Sequence, residues 1–481
     1  MKKITSCITL ALVGVVVMTA SAAAAAEEEG VSLTVYNGNY GVVREVRKVS
    51  IDKTGLVKFT DVAKAIDATT VHFKSLTDPA AKLLEQNYQY DLVNADKLLQ
   101  KYIDKPIEVI CQGDKTYAGD LLSFDGGQLV LKGEKGLSMV QRADNVRDIR
   151  FGALPEGLLT RPTLVWQVFT AKPGEHLTEV TYQTGNVNWH AEYVLVLAPD
   201  DAAADLSGWV SVDNRSGKTY GNARLKFIAG DVRRVQPPVM AARARFVKAL
   251  DQEKGAPESM EEKAFFEYHM YTLPRPSTVA DNETKQLEMF TPVAGLKVTK
   301  RFLYNPLGNF RWDGGGRYTD ITYGAANPSK KVAVFIEFRN SEANKLGIPL
   351  PAGKVRVYKQ DPDDKALEFI GEEQIDHTPK DEDLSLQIGN AFDIVGERKQ
   401  VNFRVETGRN WMQEKVEITI RNHKKEEVVV RVKEPLYRWL TWEITAESRE
   451  HTKLDSRNAA WDIPIKSDGE EKVTYTVEYT W

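Results

Sequence analysis

The densest group of potential ligand side chains is GEEQIDHTPKDEDL (371–384), which carries Glu372, Glu373, Asp376, His377, Asp381, Glu382 and Asp383. A hard cation takes several carboxylate oxygens, so Glu372, Asp376, His377 and Asp381 are the candidate metal positions. A hydrated turn between strands accounts for the same residues without any ion. The seven histidines (72, 176, 190, 269, 377, 423 and 451) are dispersed. With no His-x-His or His-Glu-x-x-His spacing among them, zinc has no local signature. Glycosidic hydrolysis needs two carboxyl groups across a sugar. Asp393 with Glu397, and Glu372 with Asp376, are the available pairs, and they define a hydrolase alternative, metal-assisted or carboxylate-based. There is no Gly-x-Ser-x-Gly elbow. SGKT (216–219) ends like a phosphate loop, but Val212 stands where its first glycine belongs. Gly217 is therefore expected in a hairpin turn. No residue receives a catalytic role, and no cofactor is implied.

A second constellation suits recognition better than turnover. NFRWDGGGRYTDITY (309–323) sets Arg311, Trp312, Arg317 and Tyr318 around three glycines. A flat ring beside a cation can stack on a sugar or a protein surface. The alternative is a hairpin whose Trp312 packs on its own sheet. Trp439, Trp442 and Trp461 are expected in the core.

The elements that must position these residues are mainly β. VVREVRKVSI (42–51), LVKFTDV (56–62) and TTVHFKSL (69–76) alternate as strands. AAKLLEQNYQYDLV (80–93) does not alternate and is expected to be helical. NADKLLQKYI (94–103) is an amphipathic helix with Asn94 as its N-cap. Strand-like runs follow at 107–112, 116–124, 128–132, 137–141 and 146–151. After the connector GALPEGLLTRPT come TLVWQVFTA, HLTEVTYQT, NVNWHAEYVLVLA, LSGWVSVDN and NARLKFIAG, with the spacing of sandwich strands. Residues 236–285 interrupt this with helix formers, in PPVMAARARFVKALDQEK and MEEKAFFEYHMYTL. Farther on, KVEITIRNHKKEEVVVRV (415–432) is expected to be a hairpin. The closing KVTYTVEYTW puts Val473, Tyr475, Val477, Tyr479 and Trp481 on one face. No repeat of constant period is visible.

The N-terminus bears on compartment. Met1-Lys2-Lys3, an uncharged apolar stretch from Ile8 to Met18 and a small-residue run ending at Ala26 form a secretory signal peptide. Cleavage after Ala26 removes two lysines and no acid, taking the net charge from −4 to −6. Such a chain has no global attraction for nucleic acid or anionic lipid. Cleavage also leaves Cys111 as the sole cysteine, which rules out an intrachain disulfide and suits a buried small hydrophobe. No later segment is long and apolar enough for a transmembrane helix.

The expected organisation is then antiparallel β-sandwich domains with an inserted small barrel and a short helical or linker insertion. A signal peptide covers 1–26 and an N-terminal β domain with a helical connector covers 27–93. A helix-plus-five-strand barrel spans 94–151, a first sandwich region spans 160–300 with its insertion at 236–285, and a C-terminal sandwich region spans 301–481. Around Tyr117-Ala-Gly119-Asp-Leu121-Leu-Ser-Phe124-Asp125 the barrel resembles the Sm-like family, in which the glycine permits strand bending and the aspartate closes a turn. The RNA-reading groups are missing. Leu129 replaces the expected asparagine, and VRDIRF (146–151) lacks the basic-glycine signature, so no pocket is left for an unstacked base. An interaction or spacer role is expected instead.

LGIPLPAGKVRVYKQD, GEEQIDHTPKDEDLSLQIGNAFDIVGERK and LTEVTYQTGNVNWHAEYVLVL, together with the closing VTYTVEYTW, resemble an uncharacterised bacterial envelope family. That family is related to the mucoidy-inhibitor proteins and shares their domain of unknown function. The resemblance covers roughly residues 160–481. It implies an exported β-rich protein of the periplasm or cell surface, associated with an envelope protein or polysaccharide. It transfers no catalytic residues, and the long coiled coil of many relatives is missing from this sequence.

Overall fold

Alternation of apolar and polar residues becomes strand almost throughout the computed structural model. It describes residues 28–90, 94–143, 145–153, 155, 159–230, 232–233, 260–265, 268–308, 316–322 and 328–481. The expected signal peptide, Arg311, Trp312 and residues 236–259 and 266–267 of the expected insertion lie outside the described residues. No helix among the described residues is long and apolar enough to cross a membrane.

The first sandwich is built from β1 (Gly30–Tyr36), β2 (Tyr40–Ile51), β3 (Gly174–Gly185), β4 (Val187–Leu197), β5 (Ala203–Asn214), β6 (Tyr220–Ala229), β7 (Ser277–Val279) and β8 (Glu283–Lys297). The second uses β9 (Thr299–Tyr304), β10 (Lys331–Arg339), β11 (Asp383–Glu406), β12 (Trp411–Asn422), β13 (Val428–Pro435), β14 (Asn458–Ile465) and β15 (Glu470–Thr480). The hydrogen-bond ladders of the two follow one plan. In the first, β7 pairs β6, β6 lies parallel to β1, β1 pairs β2 and β2 pairs β3; β4 then pairs β5, and β5 pairs β8. In the second, β14 pairs β13, β13 lies parallel to β9, β9 pairs β10, β10 pairs β11, β11 pairs β12 and β12 pairs β15. The single strand β11 does the work of β3 and β4 together, changing partners from β10 to β12 near Ile394. The chain therefore contains a repeat after all. It is a repeat of topology, and insertions of unequal length between its strands remove any constant period.

One residue marks the same corner in both copies. Asn214 and Asn422 end β5 and β12, and both are fully buried. Asn214 Nδ2 donates to the Lys218 and Ala280 carbonyls (2.8 and 2.9 Å), while its Oδ1 accepts from the Ser216 N–H (3.1 Å). Asn422 Nδ2 donates to the Glu426 and Lys466 carbonyls (2.8 and 3.0 Å), and its Oδ1 accepts from the Lys424 N–H (3.0 Å). Each buried side chain ties together backbone donors and acceptors from both sides of the corner. These corners correct two expectations. The 415–432 segment is no hairpin, since β12 and β13 are separated in the sheet by β11, β10 and β9. Gly217 turns the chain with φ +80°, but from one sheet into the other instead of back along its own strand. The side-chain chemistry of a tight hairpin and of a crossing corner is the same, so sequence does not separate them.

Three other expectations are corrected. Strands 30–51 are not a separate N-terminal domain, because β1 and β2 sit in the middle of the first sandwich's sheet. Residues 82–89 form a strand along Thr163–Phe169, not a helix. A shift of register at Leu84 breaks the alternation there, which is why no period of two is readable. Residues 261–265 and 268–272 form paired strands beside β6. Pairing and burial of Tyr271 override the helix-forming composition of that segment.

The segment from Ala95 to Arg150 carries its own core. Asn94 Oδ1 caps the helix Ala95–Lys101 by accepting from the Lys97 N–H (2.9 Å). Five strands follow, ordered so that the last lies beside the first. Cys111 is buried with Leu121, Leu129, Leu131 and Val140. A Cβ on Gly119 would sit 2.5 Å from the Lys132 carbonyl oxygen, so only glycine lets these strands approach. Asp125 Oδ1 accepts from the N–H groups of Gly127 and Gln128, both at 2.7 Å, closing the turn.

The second copy also lends strands to the first. Gly353–Gln360 lies parallel to β4, and Leu367–Ile375 pairs with it on the outside. Asp201, after β4, reinforces this junction by accepting from Lys300 Nζ (2.6 Å) on β9 and from Lys359 Nζ on the lent strand. Burial alone would raise its carboxyl, but the two lysines outweigh burial and hold it below the ordinary range. A carboxyl depressed in the folded state stabilises above its unfolded pKa, and that contribution is lost as pH falls through the folded value. Asp201→Asn is expected to cost about 1–3 kcal/mol near neutral pH and to flatten the acid limb of stability, checked by urea titrations from neutral pH downward.

Candidate functional site

The second sandwich buries charge at one end. Arg398 and Gln400 on β11 and Glu414 on β12 point inward, where their positions in the alternation place them between apolar neighbours. Glu434 on β13 and Arg438 just beyond it complete the group. Arg398 Nε donates to Glu434 Oε1 (2.6 Å). Arg438 Nε donates to Glu414 Oε2 (3.0 Å), and its Nη2 to Gln400 Oε1 (2.9 Å). Burial pushes the Glu434 carboxyl upward, opposed by the Arg398 charge beside it. Two arginines balance two glutamates, so burial leaves no net charge uncompensated.

Arg438 also organises the surface above it. Its Nη1 donates to the carbonyls of Tyr318 and Asp320, both at 2.9 Å, and its own carbonyl accepts from the Tyr318 N–H (3.1 Å). This pins residues 316–322, from the connection between β9 and β10, across the end of the sandwich. Exposed Arg317 is thereby held over two half-buried rings, 5.6 Å from Trp439 and 5.0 Å from Trp481. Tyr318 lies 6.5 Å from Tyr437. Of the four sequence-based binding candidates, Arg317 and Tyr318 thus meet on one aromatic end, while Arg311 and Trp312 fall outside the described residues. Sequence reasoning misses Trp439, Trp481 and Arg438 as parts of this end. The only sequence signal for Arg438 is its place in LYRWLTW (436–442), among aromatic residues.

The metal candidates are not drawn together. Among the described residues no group of three or more His, Cys, Asp or Glu side chains could hold an ion. Glu372 pairs with Lys354 (3.1 Å) and Arg356 (3.7 Å), and His377 Nδ1 accepts from the Ala352 N–H (3.1 Å). Asp381 takes a left-handed turn conformation with its N–H on the Asn340 carbonyl. Asp376 offers its backbone carbonyl to the Thr378 hydroxyl (2.9 Å). Of the proposed acid–base pairs, Glu397 is bound by Arg421 (3.0 Å), which holds its carboxyl below the usual range. Asp393 accepts the His423 N–H on its backbone carbonyl (2.8 Å).

The surface of the described residues includes two shallow depressions of note. One of about 360 Å³ is lined by Pro328, Lys330, Glu397 and Arg398. The other, of about 420 Å³, is lined in part by Glu45, Arg47, Asp61 and Lys218. Lys218 lies 3.3 Å from Glu45 and 3.4 Å from Asp61, and Tyr182 OH donates to Glu45 (2.8 Å). Arg161, two residues before the strand Thr163–Phe169, reaches Asp61 (3.1 Å). These charges clamp the two ends of the insertion that carries the small module.

Residues 178–481 match the family described as a domain of unknown function (DUF4139). The chain belongs to the DUF4139 family. A comparison with curated proteins returned no match. The DUF4139 match begins within β3 and runs through the second sandwich, so it takes in the buried charges, the aromatic end and the lent strands. It leaves out β1, β2 and the small module.

Proposed function

We propose that this DUF4139 chain is an exported, non-enzymatic protein of the bacterial envelope that binds a protein or polysaccharide partner through the aromatic end of its second sandwich. The observation that carries the reading is Arg317 lying over Trp439 and Trp481. Flat rings with a cation beside them suit stacking on a sugar or a protein surface, and Arg438 fixes their geometry in advance of binding. Export, to the periplasm or cell surface, is supported by the basic, apolar and small-residue order of the first 26 residues. The relation to mucoidy-inhibitor proteins suggested by the sequence motifs supports an association with surface polysaccharide. The helix and five-strand order of residues 94–150 supports an Sm-like ancestry for the small module, in a spacer or contact role.

The test is capture from envelope extract on immobilised mature protein, with bound protein and polysaccharide both measured. Enrichment of one of them is expected, falling about tenfold for Trp481→Ala with Arg317→Ala. Enrichment of neither, or capture unaffected by the double variant, would overturn the reading.

A further inference from the structure

Measured in strand register from their shared corner, the two copies differ in one place. Val187 pairs with Asn214 in the first, and Ile394 pairs with Asn422 in the second. Counting along the ladders from there matches Tyr193 with Gln400, Leu195 with Phe403 and Leu197 with Val405, allowing one extra residue at Val401 where the register shifts. In the first copy the far edge of β4 is taken by the lent strand. Ala191–Leu197 pair in parallel with Gly353–Lys359, and Tyr193, Leu195 and Leu197 are buried. In the second copy β11 leaves β10 after Val395. Among the described residues, Glu397–Glu406 then pair only with β12. The segment pinned by Arg438 meets this edge at Gln400, whose Nε2 donates to the Ile321 carbonyl (3.3 Å). Beyond it Val401 is 49% exposed and Val405, on the inner face, is 39% exposed.

We infer that residues 401–406 of β11 are a docking edge for an extended segment of a partner protein, added as a parallel strand with apolar side chains inward and acidic ones outward. The inference rests on the recognition reading above and names the partner's chemistry. An unpaired strand edge offers a row of backbone donors and acceptors, and adding a strand satisfies them while side-chain pockets supply specificity. The direction follows from the first copy, where the equivalent place is filled in parallel. The inward apolar requirement follows from Phe403 and Val405, which stand where Leu195 and Leu197 are covered. The outward charge follows from Lys399, Arg404 and Lys415, all exposed on the outer face of this strand pair, where the acids Glu406 and Glu417 are already paired with Arg409 and Lys472.

The probe is an acetylated, fluorescently labelled octapeptide alternating valine and glutamate, with a valine–lysine octapeptide as control, titrated against the full mature chain. The glutamate peptide is expected to bind at least about tenfold more tightly than the lysine peptide and to slow amide exchange at residues 401–406. Val405→Asp is expected to lose this binding. Arg404→Glu, an exposed change that leaves the core alone, should reverse the peptide preference. Equal binding of both peptides, or of neither, overturns the inference. So does a cross-link from Arg404→Cys to residues 309–315 of the same chain or to a second copy, since either would mean that the edge is already filled. If the peptides fail while envelope capture still depends on Trp481, only the strand-docking inference falls; if capture fails as well, the recognition reading falls with it.

Discussion

Arg438→Ala is expected to remove about 3–5 kcal/mol from the second sandwich, because it leaves Glu414 buried without its strongest partner. The side chain is fully buried and divides its donors among one carboxylate, one amide and two backbone carbonyls. Truncation therefore strands several acceptors at once. Arg438→Lys should recover only part of the loss, since a single ammonium cannot reproduce a planar fork that reaches three directions. Arg438→Met with Glu414→Gln should recover more, because no unpaired charge remains. Urea unfolding followed by tryptophan fluorescence checks the series. Trp439 and Trp481 lie beneath Arg317, whose segment Arg438 holds, so their emission should shift in Arg438→Ala below the main transition. A main transition within about 0.5 kcal/mol of wild type would show that the buried charges contribute little.

The second large effect belongs to the paired corners. Asn214→Leu and Asn422→Leu each strip partners from backbone groups around a buried corner, at about 1–3 kcal/mol for every group left without solvent or protein partner. Asn214→Leu is expected to weaken the first sandwich and Asn422→Leu the second, with comparable losses because the two side chains bond the same set of positions. Asparagine to aspartate at either site should be at least as damaging, because the donors vanish and a charge is buried in their place. Amide exchange reports the two sandwiches separately. A corner whose replacement leaves exchange in its own sandwich unchanged would show that the matching geometry is incidental to stability.

Much of the strand content was readable because one face of most strands is buried, so that period-two alternation survives in sequences such as VEITI and VTYTVEYT. The misreadings have local causes. At Leu84 one extra residue offsets the alternation on either side of it. In 260–273, helix-forming residues were overruled by pairing with β6. The 415–432 segment looked like a hairpin because Asn422 organises its corner with side-chain bonds that a hairpin turn would use as well. The aromatic end was half legible. Glycines beside Arg317 and Tyr318 marked a loop built for contact, but the rings receiving Arg317 are more than a hundred residues away, and nothing in LYRWLTW or in the closing VTYTVEYTW ties Trp439 or Trp481 to that loop. The buried charges did leave a trace. Arg398 and Glu414 stand at inward parity in strands whose other inward residues are mostly uncharged, which sequence reading could have flagged as ion pairs.

The strand lent by the second copy to the first has a consequence for biogenesis. The first sandwich is finished only when Gly353–Gln360 settles beside β4, and its centre already joins β1 to β6, nearly two hundred residues apart. A chain that emerges amino end first therefore holds an unclosed sheet through most of its delivery. Pairings so remote in sequence are slow to form, and an unclosed sheet invites wrong partners meanwhile. The way the two halves are interleaved thus keeps the first sandwich open until about three-quarters of the polypeptide has emerged, and prolongs its exposure to misassembly by the same span.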